Sequence, residues 1–295
     1  MDKEIKYAFV TGASGEIGQA ICLSLAKAGW NLYLHYYQNK QAVEKLLPQL
    51  LAEDVDVILI QADFDDLTSL TEMEKQVFQL DAFIHAAGHA HYGLFQDTTD
   101  INITELWNVH MYMPMRLIRT FMPKLMKSSQ GRIIFISSIW GEVGASMEVA
   151  YSTVKGAQIA FCRALSQEVG LSGITVNAVT PGVVETKMMD QFSDEEKEIL
   201  RQEIPLNRFA QPEEIAEIVA FLTSKKDKLY HWRSFALKWR LAYVILVKKW
   251  KFEISNGRCL ILTELGDKLK QARREKGLSL DDLQQVNENY KNVIW

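Results

Sequence analysis

The sequence predicts an α/β fold in which a doubly wound parallel sheet carries helices on both faces. Over residues 1–224, short apolar runs alternate with longer segments of helical periodicity. The short runs are apolar throughout, as strands are when both faces of a parallel sheet are covered. A glycine-rich segment, residues 11–18, follows the first run and precedes the first helical segment, where such sheets usually bind a ligand.

Each element of this alternation has a local reason. The strands are runs of five or six residues rich in Ile, Val, Leu and aromatic side chains, predicted in chain order at 5–10, 31–35, 55–60, 81–85, 132–136 and 174–178. The helices have apolar residues three or four positions apart, and are predicted at 17–28, 41–51, 103–127 and 151–171. Gly29 ends the first helix.

The composition excludes several classes of protein. With 48% hydrophobic and 24% charged residues, the 295-residue chain is neither disordered nor collagen-like. The cysteines, Cys22, Cys162 and Cys259, are widely separated and lack metal-ligand spacing, which indicates a reducing, cytoplasmic compartment and no metal site. The longest apolar run, 241–247, is too short for a membrane span of about 20 residues, and the charged start does not resemble a secretory signal.

The charge is distributed unevenly along the chain and divides it into three segments. Residues 1–224 hold 17 basic and 29 acidic residues, whereas residues 225–262 hold 10 basic and 2 acidic ones. Residues 263–295 hold 6 of each. Since one compact enzyme seldom splits its charge in this way, we expect a domain at 1–224, an atypical basic segment and a separate C-terminal segment.

The glycine-rich segment has the features of a phosphate-binding loop. Gly12 allows a tight turn after the first strand, and Gly18 lets the following helix pack close to the sheet. The free N–H groups at the start of that helix can hold a pyrophosphate. The alternative is a glycine-rich turn without a ligand, but the position directly after the first strand favours a dinucleotide.

The end of the second strand favours NADP over NAD as that dinucleotide. An NAD site normally has an acidic residue here for the ribose 2′-hydroxyl, and residues 35–40 contain none. Lys40 is either a contact for a 2′-phosphate or a solvated lysine at the start of a helix. Glu16 within the loop is an unfavourable neighbour for phosphate.

Three polar residues form a candidate catalytic group. Ser138 follows the strand 132–136, and Tyr151 and Lys155 are four residues apart, on one face of a predicted helix. The ammonium of Lys155 would lower the pKa of the Tyr151 phenol, which could then exchange a proton with a substrate oxygen that Ser138 also binds. A YxxxK pair alone is more often a surface pair, but the serine and the glycine loop make that alternative improbable.

Together these motifs resemble the classical short-chain dehydrogenase/reductase family, most closely its 3-oxoacyl-acyl-carrier-protein reductases, over residues 5–224. The resemblance implies a Rossmann fold and an NADP-dependent oxidoreductase that forms homodimers or homotetramers. It also implies that segment 187–205 is a mobile substrate lid. The cofactor-binding residues that it implies are Gly12, Ser14, Ile17, Gly18, Asp63, Ala87, Gly88, Tyr151, Lys155, Pro181, Gly182 and Thr186.

Two positions depart from the family's pattern. His85 replaces the asparagine with which the fourth strand usually ends, a position that is mainly structural. His110 aligns with the family's catalytic asparagine, although the alignment could instead place Asn108 there. Because histidine can hold a water and titrates near neutral pH, we expect an active enzyme with an altered proton relay.

The region after 224 does not resemble the family's last strand, which we expect to be atypical or missing. With suitable codons, residues 229–235 read with the frame shifted by one nucleotide encode Tyr-Ile-Thr-Gly-Gly-His. The same shift over residues 238–243 can encode Asn-Gly-Gly-Trp-Leu. Both sequences resemble what the family has at this place. Segment 225–262 is therefore interpreted as out-of-frame translation. Segment 263–295 resembles the start of a RodZ-like helix-turn-helix domain, or is a simple helical hairpin.

The expected activity is reduction of a ketone to an alcohol, by default on a 3-oxoacyl chain of acyl carrier protein. An alternative substrate is a 5-aminopentanone group carried by elongation factor P, as in related reductases, which the acidic charge of 1–224 mildly favours. From another class, the chain could be a DNA-binding regulator or an inactive reductase fusion. Nucleic acid is otherwise not an expected partner.

Overall fold

The computed structural model describes residues 5–66, 68–224, 234–237, 254–255 and 258–259. Its strands are β1 (Tyr7–Thr11), β2 (Asn31–Tyr36), β3 (Val57–Gln61), β4 (Ala82–His85), β5 (Arg132–Ile136), β6 (Thr175–Pro181), β7 (Ser234–Leu237), β8 (Ile254–Ser255) and β9 (Arg258–Cys259). Its helices are α1 (Glu16–Lys27), α2 (Lys40–Leu51), α3 (Ser69–Gln76), α4 (Asp100–Trp107), α5 (Met113–Leu125), α6 (Trp140–Val143), α7 (Val149–Val169), α8 (Asp194–Gln202) and α9 (Pro212–Thr223).

The sheet has the doubly wound order β3-β2-β1-β4-β5-β6-β7, and its pairings are all parallel. The chain builds outward from β1 to β3, then crosses back to place β4 on the other side of β1. The gap between the loops after β1 and β4 is the switch point at which such sheets bind ligands. The predicted fold class is thereby confirmed.

Helices cover both faces of the sheet because its strands bury both faces. On β1, Ala8 and Val10 face one apolar cluster, which contains side chains of α1, α2 and α9. Tyr7 and Phe9 face the other cluster, which contains side chains of α3, α5 and α7. This period of two divides the core into two layers, as a covered parallel sheet requires.

The last strand was expected to be atypical or missing, and a strand is present. β7 pairs with β6 in parallel register, with Ala178 opposite Ser234 and Pro181 opposite Leu237. A strand at a sheet edge is held by main-chain hydrogen bonds, which do not depend on the apolar pattern that sequence reasoning looks for. With four residues, β7 is shorter than its neighbour β6.

The chain divides into two units, Met1–Arg240 and Leu241–Trp295. In the second unit, β8 and β9 pair antiparallel. The predicted helix-turn-helix-like segment, 263–295, lies outside the described residues, so the division into three segments stays a prediction. Within the described residues, no helix is long and apolar enough to cross a membrane, and no group of three or more metal-ligating side chains is found.

Candidate active site

The candidate site lies at the carboxyl edge of the sheet, where the segments after β1, β4, β5 and β6 meet. The glycine-rich turn after β1 has the close packing that its glycines imply. Gly12 has a φ of +68°, and a Cβ there would lie 2.6 Å from Ala87 Cα. A Cβ on Gly18 would lie 2.1 Å from the Gly12 oxygen. The turn therefore tolerates only glycine at both positions and leaves a backbone-lined cradle at the start of α1.

The turn is tied to the segment after β4 through Thr11. The Thr11 hydroxyl oxygen accepts hydrogen bonds from the N–H groups of Ala86 and Ala87, each at 3.1 Å. It lies 2.9 Å from His85 Nδ1. With its oxygen already accepting two N–H groups, Thr11 donates its proton to Nδ1, which makes His85 the neutral Nε2–H tautomer. His85 thus orients the Thr11 hydroxyl, which holds the N–H groups of Ala86 and Ala87 beside the turn.

The other residues expected on the adenosine side lie after β1 and after β3. Asp63 follows β3, and its carboxylate accepts the N–H of Asp65 at 2.9 Å. The Ser14 carbonyl accepts from the Gln19 side chain at 2.9 Å, and Ile17 is half-buried on α1.

The acidic residue in the turn, Glu16, has a partner other than a ligand. Its carboxylate accepts the backbone N–H of Lys187 at 3.3 Å, in the segment after β6. Pro181 ends β6, and its carbonyl accepts the N–H of Ile139 at 2.9 Å. Gly182 and a half-buried Thr186 follow it. Glu16 therefore joins the turn to the segment expected at the nicotinamide, so its carboxylate has a partner within the protein.

Lys40, at the start of α2, forms an exposed ion pair with Glu44 at 3.1 Å. This i,i+4 pair favours the second of its two interpretations, a solvated lysine at the start of a helix.

The three candidate catalytic side chains are brought together. Ser138 follows β5 and is 9% exposed, and its side chain hydrogen-bonds the hydroxyl of Tyr151 on α7. Lys155, one turn further on, lies with its ammonium 5.5 Å from the centre of the Tyr151 ring. The ammonium donates to the Ile136 carbonyl at 2.9 Å. These side chains can bind an oxygen atom and exchange a proton with it.

The expected lowering of the Tyr151 pKa is not found, and this prediction needs correction. Burial raises the pKa of Tyr151 above its usual value, and the nearby carboxylate of Glu148 raises it further, while the bond to Ser138 lowers it. Burial also lowers the pKa of Lys155 to about 7. Within the described residues no carboxylate lies at ion-pair distance from Lys155. A lysine that is only partly charged at pH 7 exerts a weaker field on its neighbour than sequence spacing alone suggests.

Of the two residues considered, His110 and not Asn108 lies beside Tyr151. His110 is fully buried, and its ring lies 5.7 Å from that of Tyr151. Asn108 points away and donates to Asp65 at 2.9 Å. The ring of His110 packs on Gly88, where a Cβ would lie 2.1 Å from its Cε1 atom.

His110 does not titrate near neutral pH, contrary to expectation. Burial first, and then the charge of Lys155, lower its pKa well below the usual value. Its Nε2 donates to the His89 carbonyl at 2.9 Å, so the neutral ring presents Nδ1 as an acceptor. That nitrogen has no hydrogen-bond partner among the described residues.

A π-helical turn at Asn108–Tyr112 places His110 and divides the single helix predicted over 103–127. In a regular helix the His110 carbonyl would accept the N–H of residue 114, which is a proline and has none. The carbonyl instead accepts the side-chain amide of Gln158 on α7 at 2.9 Å. The wider turn could have been anticipated from Pro114, whereas the partner Gln158 is a tertiary contact without a sequence signal.

Glu148 is a further residue that sequence reasoning missed. It is the N-cap residue of α7, half-buried, and one helical turn before Tyr151. Met147 before it has a φ of +65°, unusual for a residue with a side chain, and its carbonyl accepts the Gly93 N–H at 2.7 Å. The sequence signal that could have found it is the acidic residue three positions before Tyr151.

Comparison with known proteins agrees with this fold. Residues 12–230 match the family model described as enoyl-(acyl carrier protein) reductase. The chain therefore belongs to this family of short-chain dehydrogenases/reductases, and is an oxidoreductase that acts on CH–OH or ketone groups. Within the family it resembles the 3-oxoacyl-acyl-carrier-protein reductases.

Two relatives define the similarity most clearly. The uncharacterized oxidoreductase YmfI of Bacillus subtilis is 42% identical over 223 residues, which are 75% of this chain and 92% of the relative. The 3-oxoacyl-acyl-carrier-protein reductase FabG of Staphylococcus aureus is 35% identical over 238 residues, 77% of this chain and 94% of the relative. Among solved structures, a short-chain dehydrogenase/reductase of Serratia marcescens aligns with a TM-score of 0.74 and 26% identity, covering 79% of this chain and 96% of its own.

Proposed function

We propose that this protein reduces a ketone to an alcohol with NADPH, by default on a 3-oxoacyl thioester. The observation that carries the proposal is the meeting of Ser138, Tyr151 and Lys155 with the glycine turn at one edge of the sheet. The turn suits a dinucleotide, because Gly12 and Gly18 allow backbone segments to pack closely at the start of α1, where free N–H groups can hold a pyrophosphate. NADPH is favoured over NADH because no acidic residue follows β2.

The residues of this chain supply the proton and its control. When bound, the reduced nicotinamide provides the hydride that the carbonyl carbon accepts. Tyr151 donates its hydroxyl proton to the ketone oxygen, and Ser138 hydrogen-bonds the same oxygen. Lys155 then stabilises the phenolate that is left, since a negative charge beside it favours its protonated form. Burial of Ser138 and Lys155, and partial burial of Tyr151, strengthen these interactions.

The decisive assay follows the loss of NADPH absorbance with acetoacetyl thioester as substrate. We expect turnover with NADPH and a much higher KM with NADH. Equal use of both cofactors would contradict the NADP assignment, and absence of turnover with this neutral ketone would contradict the default substrate.

A second candidate substrate is a protein-borne amino-ketone, such as a 5-aminopentanone group on elongation factor P. The specific observation in its favour is the half-buried Glu148 carboxylate close to Tyr151, which could hold an ammonium group of the substrate. The net acidic charge of residues 1–224 also favours a basic partner over an acidic carrier protein. Comparing rates on the modified factor and on acetoacetyl thioester separates the two candidates.

We also propose that the protein is a cytoplasmic homodimer or homotetramer. The free, buried thiols of Cys22 and Cys162 suit a reducing compartment. Exposed apolar residues on α4, Ile101 and Trp107, could lie in a subunit interface. Light scattering coupled to gel filtration tests the assembly, and a monomer at micromolar concentration would contradict it.

A separate proposal concerns the segments after residue 224. Segment 225–262 is translated out of frame, and segment 263–295 comes from a neighbouring helix-turn-helix gene. Sequencing the DNA across codons 220–245 tests it, and an uninterrupted frame confirmed by mass spectrometry of the protein would contradict it. A salt-dependent DNA shift by the full chain would instead favour a DNA-binding regulator. Absence of turnover despite NADPH binding would favour an inactive reductase fusion.

A further inference from the structure

His35 is a buried polar ring at the carboxyl end of β2, and none of the catalytic steps uses it. It is 3% exposed and stacks on Phe64, with ring centres 4.2 Å apart and planes at 13°. Phe9 lies on a parallel plane with its centre 6.5 Å away. An apolar side chain would fill such a place at lower cost, because a buried polar ring must find its hydrogen bonds inside the protein.

The hydrogen bonds of His35 all lead to the segments expected to hold the cofactor. Its Nδ1 lies 3.3 Å from the Gly12 nitrogen, and its Nε2 lies 3.1 Å from the Ala62 oxygen. Its main-chain oxygen also accepts the Ala13 N–H at 2.8 Å. Two consecutive N–H groups of the glycine turn are therefore bound to one residue.

These partners define the state of the ring. The Gly12 N–H can only donate and the Ala62 carbonyl can only accept, so His35 is neutral, with its proton on Nε2. Burial lowers the pKa of His35 to about 4, which keeps this state at neutral pH. A charged ring would place a second N–H against that of Gly12.

The bond to Gly12 acts on the residue that shapes the turn. Gly12 adopts a positive φ, and a Cβ there would lie 2.6 Å from Ala87 Cα, so the turn packs closely against the segment after β4. A glycine has no side chain to hold its own peptide orientation, so a neighbour must supply that restraint. At its other end, the ring holds Ala62, directly before Asp63, the residue expected at the adenine.

We propose that His35 is a positioning residue for the dinucleotide: its neutral ring joins the phosphate turn to the end of β3 and sets the affinity for the adenosine half of the cofactor. The inference rests on the proposed use of NADPH. It predicts an effect on cofactor binding that is separate from ketone binding and from the chemical step.

The test uses three variants that remove different parts of the ring's function. His35→Phe keeps the stacking and loses both side-chain bonds. His35→Asn can keep an acceptor near the position of Nδ1, whereas His35→Gln can keep a donor near the position of Nε2. Tyr33→Leu is the matched control, because Tyr33 is a fully buried aromatic residue of the same strand that lies away from the turn.

NADPH binding is measured by calorimetry on the full chain, with wild type first, so that failure of the proposed function is seen before any variant is compared. We expect His35→Phe to raise the Kd for NADPH about tenfold, with kcat at saturating NADPH and the KM for the ketone within twofold of wild type. His35→Asn should recover most of the affinity, and His35→Gln should not. Tyr33→Leu should lower Tm and leave the Kd unchanged.

A second readout needs no cofactor. Amide hydrogen exchange at Gly12 and Ala13 should accelerate in His35→Phe and recover in His35→Asn. The proposal is overturned if His35→Phe binds NADPH like wild type. It is also overturned if all three variants lose affinity only in proportion to their loss of Tm, since His35 would then be a core residue alone.

Discussion

The two sides of the candidate site differ in whether backbone or side-chain groups form them. The cofactor side is a backbone structure, in which Gly12 and Gly18 allow close approach and the side chains of Thr11 and His35 bind main-chain N–H groups. The catalytic side is a side-chain structure, in which buried polar groups such as Lys155 and His110 are held by main-chain carbonyls. Changes on the first side should therefore disturb cofactor binding, whereas loss of the proton donor on the second should disturb chemistry in a protein that stays folded.

The largest expected effect is on the catalytic side. Tyr151→Phe removes the proton donor, so turnover should fall by about 10³-fold, within the usual range for loss of a general acid. Tm should stay close to wild type and the Kd for NADPH should change far less than turnover, as measured by thermal melting and calorimetry. Thr153→Ala on the same helix is the control and should keep full activity. A Tyr151→Phe enzyme with more than a tenth of wild-type turnover would assign the proton donor elsewhere.

The corresponding change on the cofactor side is Gly12→Ala. The new Cβ would lie 2.6 Å from Ala87 Cα, so the turn must move and the Kd for NADPH should rise by about 100-fold or more. Gly173→Ala is a matched control, because Gly173 has a similar φ of +76° with open space around it. It should lose about 1 kcal/mol of stability from backbone strain and keep its NADPH affinity. Equal affinity losses in both variants would show that general destabilisation, and not the clash in the turn, is responsible.

The buried lysine should make stability depend on pH. The pKa of Lys155 is about 7 in the folded protein and near the ordinary value of 10.5 when unfolded. Between these values the unfolded chain binds more protons, so the free energy of unfolding should rise with pH, by at most about 1.4 kcal/mol per pH unit from this group. Urea denaturation at pH 7 and pH 8 measures the slope, and Lys155→Met should reduce it. An unchanged slope in that variant would mean that Lys155 keeps its charge when buried.

Replacing His110 tests whether its ring takes part in proton transfer. Because His110 is neutral around pH 7, the pH profile of kcat should not contain its titration, and His110→Asn should leave the shape of that profile unchanged. The smaller side chain leaves a space against Gly88 and should cost about 1–3 kcal/mol of stability in urea denaturation. A shift in the profile would show that the ring, and not only its place in the packing, contributes to the relay.

The smallest effect is expected at Glu148. Its charge raises the pKa of Tyr151, so Glu148→Gln should lower that pKa. The pH profile of kcat for a neutral ketone should shift to lower pH, with a change of a few-fold in rate. Glu148→Asp, which keeps the charge, should behave like wild type. If the two variants give the same profile, the charge of Glu148 does not affect the pKa of Tyr151.

The regular elements were largely predictable, because their pattern is local. Strand β5 was predicted with its observed bounds, and α1, α2 and α7 within two residues. Helix α8 was missed because it is highly polar, although its Ser193–Glu196 capping box was a readable start signal. Strand β7 could not be predicted, since its pairing with β6 is a tertiary contact without a sequence pattern.

The same division holds for the site. The residue types and spacings in the sequence determined the fold class, the glycine turn and the grouping of Ser138, Tyr151 and Lys155, because periodicity and glycine geometry are local properties. Only the tertiary structure decided the protonation states. In it the pKa of Tyr151 is raised, Lys155 is only partly charged and His110 is neutral. Those states depend on burial and on neighbours distant in sequence, and the free-energy cost of burying a charge is set by the surrounding protein and not by the residue itself.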